Sequence, residues 1–320
     1  MRIVSLLPSA TEIVCALGLG ESLVGVTHEC DYPEAARTKP IVTRSLLDQS
    51  GSTSAEIDRA VSGQLRDGLS LYTLDRALLA DLRPDVILTQ ALCEVCAVSY
   101  GEVEQAVRDV TPNFGGVAPR VLSLEPGSLQ DILATIAIVG AATGTERQAA
   151  GVVARLRARI ERVRERAQLA ARARVACLEW IDPPYGPGHW VPELIEIAGG
   201  MPGLGAARAD SRRIAWDEVI AFAPEVIVVT PCGFDLPRTA EESLRVLPSR
   251  AGWAALPAVR AGRVYAVDGN AYLSRPGPRI VDSLELLAEL IHPEHFAAWG
   301  PRGAWQSLHV EASVASGVSP

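Results

Sequence analysis

Short runs of β-branched and aliphatic residues alternate in the first half of the chain with stretches whose apolar positions recur every three or four residues. The strand-like runs are RIVSL, LVGVT, DVILTQ and VLSLEP, with helical patterns such as SATEIVCALG between them. Alternation of this kind predicts βαβ units and parallel sheets, because parallel strands need a crossover between them. The second half repeats the grammar with VACLEW, WVPELIEIAGG, EVIVVT, RVYAVD and IVDSLELLAELIH. A weak internal repeat links the halves: LADLRPDVILTQALC and IAFAPEVIVVTPC each run helix, proline, acid, strand, loop and cysteine. Ser9 with Glu12, and Thr53 with Glu56, fit the capping box that opens a helix.

Between the halves, ERQAAGVVARLRARIERVRERAQLAAR places Val152, Leu156, Ile160, Val163, Ala167 and Ala170 on one apolar stripe. One helix of about 25 residues spans roughly 38 Å, enough to join two lobes and stiff enough to keep any opening between them modest. The expected fold class is therefore α/β, with two Rossmann-like lobes built on parallel-rich sheets and a ligand cleft between them. The boundaries read as residues 1–145 for the first lobe, 146–172 for the bridging helix and 173–320 for the second lobe.

Charge changes the picture by exclusion. Thirty basic against 38 acidic side chains give a net charge of -8, which disfavours nucleic acid as a partner. The arginine-rich Glu146–Arg172 stretch reads as a solvated helix face. No apolar run approaches the roughly 18 residues a bilayer span needs, so no membrane insertion is expected. Pro8 and Glu12 interrupt the apolar start, so no signal peptide is read and the chain as written is expected to be cytoplasmic. An upstream start would make it periplasmic or lipid-anchored instead. In a cytoplasmic chain the six cysteines are reduced, metal-bound or catalytic.

In open parallel sheets, ligands bind beyond the carboxyl ends of the strands. Aromatic residues make up only 5% of the chain, yet half of them fall in or beside the loops at those ends. Flat rings in such loops suit a large, partly apolar ligand, although they also serve to pack loops onto sheets. The loops nominate Pro8, Ser9, Asp31, Tyr32, Tyr72, Trp180, Tyr185, His189, Trp190, Phe234, Tyr272 and Arg275 as ligand-binding residues. His189, at a helix start, either faces the cleft or ends the preceding turn. Cys93 and Cys96 form a Cys-x2-Cys, to which the predicted loop at His28 and Cys30 adds the composition of a metal site. Zinc or iron–sulfur ligation, contact with the ligand and inert buried thiols all remain open for this set. His292 and His295 are expected at the surface and Cys177 in the core. No G-x-S-x-G, P-loop or G-x-G-x-x-G signature appears, which argues against hydrolase, NTPase and nicotinamide chemistry.

Taken together, RIVSLLPSATEIVCALGLGESLVGVTHECDYP, LDRALLADLRPDVILTQ, WVPELIEIAGG and RIAWDEVIAFAPEVIVV resemble the cobalamin and ferric-siderophore substrate-binding proteins with a helical backbone. The chain is most similar to their cobalamin-binding branch, through the DYP after the second strand and the segment Pro183-Pro184-Tyr185-Gly186-Pro187-Gly188. The resemblance implies two lobes joined by a rigid helix, a corrinoid or related metal chelate held between them, and binding without catalysis. It also implies an ABC permease as partner, docked through Asp75 and Glu196, one carboxylate on each lobe. The competing expectation is a cytosolic metalloprotein or enzyme with a Cys-ligated zinc or iron–sulfur site in the same cleft.

Overall fold

Continuous aliphatic runs become the central strands, buried on both faces as parallel strands must be. The protein is described here from a computed structural model, which covers residues 1–49, 51–67, 69–91, 98, 100–111 and 117–308. The first lobe opens with β1 (Ile3–Ser5), α1 (Pro8–Ala16) and β2 (Leu23–Val26). An excursion follows, made of β3 (Thr43–Ser45), α2 (Ser54–Arg66) and β4 (Tyr72–Leu74), in which β3 and β4 pair antiparallel. The lobe closes with α3 (Arg76–Leu82), β5 (Val86–Thr89), α4 (Tyr100–Val110), β6 (Arg120–Ser123) and α5 (Leu129–Thr143). Its sheet is parallel throughout, in the order β2-β1-β5-β6.

The bridging helix α6 runs Glu146–Ala167 and buries Ala149, Val152, Leu156, Ile160, Val163 and Ala167. The predicted stripe is thus present up to Ala167, where the helix ends short of Ala170 and Arg172. Its length of 22 residues gives about 33 Å. The second lobe continues with β7 (Ala173–Leu178), β8 (Tyr185–Gly186), α7 (Val191–Ile197), β9 (Gly200–Pro202), β10 (Arg212–Arg213) and α8 (Trp216–Phe222). Then come β11 (Val226–Val229), α9 (Leu236–Val246), α10 (Pro257–Arg260), β12 (Val264–Val267), α11 (Ile280–Ile291), α12 (Pro293–Phe296) and β13 (Trp305–Ser307). The sheet order is β13-β12-β11-β7-β9, with β13 alone antiparallel to its neighbour.

The internal repeat has a structural counterpart. Helices α3 and α8 each end in a left-handed residue, Arg83 (φ 42°) and Ala223 (φ 48°), just before the shared proline. The acid after each proline then fixes the start of the neighbouring central strand: Asp85 accepts from the backbone N–H of Arg2 at 2.7 Å and Glu225 from that of Arg174 at 2.9 Å. Each of those arginines also donates back to the helix it follows in space, to the carbonyl of Leu82 or Ala223.

The lobes do not have wholly separate cores. One buried apolar cluster runs from Ile13 and Val14 on α1 and Ile132 and Ile136 on α5, through the α6 stripe, to Leu194 on α7 and Leu284 and Leu287 on α11. Each lobe adds a cluster of its own on the opposite sheet face. Arg159 pins α6 to α11 through Asp282 (2.5 Å) and Glu285 (2.6 Å). Rigid-body parting of the lobes would expose part of this shared core, so the fold resists it. Among the described residues, no helix is long and apolar enough to cross a membrane.

Candidate functional site

Loops beyond the carboxyl ends of β2 and β12 meet across the lobes in an inner seam, α2 and the residues before it meet the second lobe in an outer one, and a cavity lies between the lobes. The inner seam lies against the shared core. Glu12 on α1, 1% exposed, takes a hydrogen bond of 2.6 Å from Arg279 at the start of α11. Asp31, from the loop after β2, pairs with Arg275 and accepts from the Asn270 amide at 2.7 Å. Arg275 also donates to the Glu29 carbonyl at 3.2 Å and the Asn270 side-chain oxygen at 2.9 Å. The Arg279 guanidinium stacks on Tyr32 at 4.0 Å and lies 5.8 Å from the Tyr272 ring centre. Burial pushes the Glu12 carboxyl above its usual range against the pull of Arg279 and Arg275. Burial acts the same way on Asp31, but there Arg275 and Asn270 outweigh it and hold the group below the usual range.

The outer seam joins the segment around α2 to the second lobe. Thr53 and Glu56 form the predicted capping box, and Glu242 of α9 adds a partner from the other lobe. Glu242 accepts from the Ser54 N–H at 2.8 Å and from its hydroxyl at 2.5 Å. The Trp180 indole donates to the Ser54 carbonyl at 3.1 Å. Asp58 accepts from Arg213 at 2.6 Å and from the Tyr185 hydroxyl at 3.3 Å. Arg238 donates to the carbonyls of Gln49 (3.1 Å) and Ser52 (2.9 Å), with its guanidinium 3.8 Å from the centre of the Phe234 ring.

A cavity of about 350 Å³ opens between the lobes. His28, Glu29, Asp31 and Arg37 line it from the first lobe and Gly233, Asp235, Arg238 and Asn270 from the second. Its walls are polar and charged, with the aromatic rings set behind them. Trp180 and Phe234 meet edge to face at 5.2 Å beside Arg238. The volume sits at the low end of the roughly 300–1,000 Å³ of small-molecule sites.

The structure gathers Asp31, Tyr32, Tyr272 and Arg275 in the inner seam and Trp180, Tyr185 and Phe234 at the outer one. Pro8 and Ser9 lie under the second lobe's loop: a side chain at Gly277 would stand 3.2 Å from the Ser9 carbonyl oxygen. Ser9 does not cap α1, whose N-cap is Leu7 with no side-chain bond, and Glu12 reaches Arg279 instead of the helix start. Tyr72 packs on His28, ring centres 5.6 Å apart, beside Thr43. Trp190 belongs to the shared core, 6% exposed, its indole donating to the Leu273 carbonyl at 2.7 Å. His189 has φ 51°, pairs its backbone with Ala209 and Arg208, and sets its ring 3.3 Å from Asp210. Gly188 permits this, because a Cβ there would lie 2.3 Å from the Ser211 nitrogen. His292, expected at the surface, is buried at 4% and bonds the Gly199 carbonyl at 3.2 Å.

Sequence reasoning missed Arg37, Asp235 and Arg238 in the cavity and Asp58, Arg213 and Glu242 in the outer seam. Glu29, Gly233 and Asn270 sat in the right loops, but weight given to aromatic residues passed over them. The signal was there in one case: Arg238 follows Phe234 by four positions, a spacing that stacks a cation on a ring at a helix start.

Cys93 and Cys96 lie outside the described residues. Cys30 is buried, 3.1 Å from the Thr11 hydroxyl, and burial pushes its thiol up to about 11, which keeps it protonated. His28 bonds the Thr43 hydroxyl through Nδ1 at 2.8 Å. Among the described residues no three His, Cys, Asp or Glu side chains converge as a metal ion would require. Asp75 and Glu196 are both exposed. Asp75 also caps α3, accepting from the Leu78 N–H at 2.9 Å.

A family model described as periplasmic binding protein matches residues 3–271. The ABC transporter substrate-binding lipoprotein YvrC of Bacillus subtilis is 24% identical over 307 residues, covering 92% of this chain and 81% of that protein. The vitamin B12-binding protein of Vibrio cholerae is 22% identical over 295 residues, 89% of this chain and 86% of that one. Among solved structures, the periplasmic heme-binding protein RhuT from Roseiflexus sp. RS-1, in apo form, has the same fold. Its TM-score is 0.67 at 24% identity, with 91% of this chain and 98% of that chain covered.

Proposed function

Because the chain belongs to the periplasmic binding protein family, whose model spans most of its length, we propose that the cavity between its lobes binds a corrinoid or related metal chelate for an ABC permease. The observation that carries the reading is the cavity itself, walled from both lobes by loops at the carboxyl ends of parallel strands. Its chemistry fits a ligand that is part polar and part flat. Asp31, Asn270 and Arg238 offer acceptors and donors suited to peripheral amides, and the Arg238 guanidinium, backed by the buried Phe234 ring, presents a flat face to a macrocycle. A B12-binding relative and a heme-binding structural neighbour support the metal-chelate class. Asp75 and Glu196 remain the docking carboxylates of this reading, both exposed and one on each lobe.

Parallel calorimetric titrations with cyanocobalamin, heme and a ferric hydroxamate test it. The reading expects cobalamin to bind with the highest affinity and one-to-one stoichiometry. Tighter binding of heme or ferric hydroxamate moves the ligand within the class, and no heat with any of the three removes the reading.

A further inference from the structure

The cavity is smaller than a corrinoid, so ligand entry requires something to move, and the two seams differ in what parting them would cost. Opening the inner seam exposes apolar core that the two lobes share, a cost the rehydration of Glu12 and Arg279 does not offset. Opening the outer seam costs little apolar burial. Of the 13 residues of α2 only Ser54 and Ile57 are buried, and the contacts that bind the segment to the second lobe are polar. Such contacts exchange for water at small net cost.

We propose that α2 is a lid latched to the second lobe by Glu242, Arg213 and Arg238, and that ligand enters when α2 lifts while the lobes stay fixed on their common core. The proposal rests on the cleft being the ligand site. Glu242 caps the α2 N-terminus from the other lobe, where a carboxylate is favoured by the helix dipole as well as by the two Ser54 bonds. Arg238 both lines the cavity and holds the Gln49 and Ser52 carbonyls ahead of the lid. A ligand group that engages its guanidinium therefore competes with those carbonyls and releases the latch, which couples occupancy to lifting of α2.

Hydrogen exchange of the ligand-free, full-length protein tests the lid without reference to any ligand. In the wild type, α2 amides are expected to exchange at least tenfold faster than those of α1, α6 and α11. In Glu242→Ala and, separately, Arg238→Ala, α2 protection falls by roughly a further tenfold, the loss of a charged hydrogen bond, while the other three helices are unchanged. Stopped-flow mixing with cyanocobalamin then shows faster association in Glu242→Ala, which leaves the cavity lining intact. Protection of α2 equal to that of α6, or loss of protection in α1 and α11 in step with α2, overturns the lid. Absence of cobalamin binding by the wild type sinks the corrinoid reading alone, and the lid is then decided by the exchange data.

Discussion

Glu12 and Arg279 meet across the two lobes at 2.6 Å, the carboxyl 1% and the guanidinium 12% exposed, beside the apolar cluster that both lobes share. The pair links the lobes at the edge of the core they share. A charge pair this deep is sensitive to loss of one member, because the survivor is left desolvated without its counter-charge.

Arg279→Met is accordingly expected to destabilise the protein by about 3 kcal/mol in urea unfolding near neutral pH. Burial already raises the Glu12 pKa above its usual 4.5, and removing Arg279 raises it further. A raised carboxyl pKa gives stability that is full below the unfolded value and lost as pH climbs through the folded one. The deficit of the variant should therefore grow as pH rises through the wild-type Glu12 pKa, which itself lies above 4.5. The double variant Glu12→Gln/Arg279→Met should show no such growth. A deficit that is independent of pH in Arg279→Met would contradict this account of the seam.

Glu179, at the end of β7, offers a second titration. The residue is half-buried, but its carboxyl accepts from the Ser211 hydroxyl and the Gly188 N–H, and desolvation pushes its pKa up to about 7. The sign is again that of a raised group: stability is present below 4.5 and lost as pH rises through about 7. Relative to Glu179→Gln, the wild type should lose up to about 3 kcal/mol between pH 4.5 and 8, read from thermal melts across that range. A constant difference would show the carboxyl to be solvated.

Much of the fold was legible because burial on both faces leaves unbroken aliphatic runs, as in Val86–Thr89 and Val226–Val229. The α6 stripe was legible because one face alone is buried. The Asp85 and Glu225 anchors showed through as an internal repeat. The site was less legible, since what a side chain reaches depends on residues distant in sequence. Glu12 sits three positions after Ser9, as a capping box requires, yet its partner lies 267 residues away. Trp190 and Phe234 carry the composition of ligand-facing rings, but the first is spent on the core and the second on supporting Arg238. Glu242 is one polar position on an amphipathic helix, and only the folded chain reveals that it caps α2.

Cysteine labelling separates the thiols by environment. Cys232 is exposed beside the cavity-lining Gly233, whereas Cys177 is fully buried and Cys30 is buried with its thiol raised to about 11. A maleimide at pH 7.5 should modify Cys232 within minutes and leave Cys30 and Cys177 unreacted until the protein unfolds, as read by peptide mass spectrometry. Rapid labelling of Cys30 in the native protein would contradict its placement against Thr11.

The proposed site for a metal chelate lies between the loop His28–Asp31 and the wall formed by Gly233, Asp235, Arg238 and Asn270. The most direct measurement is a crystal structure of the protein grown with cyanocobalamin. The account predicts the corrin ring between those two walls, α2 displaced from Glu242, and the Glu12–Arg279 pair intact. A corrin bound anywhere outside this cavity, or one admitted by separation of Glu12 from Arg279, would contradict it.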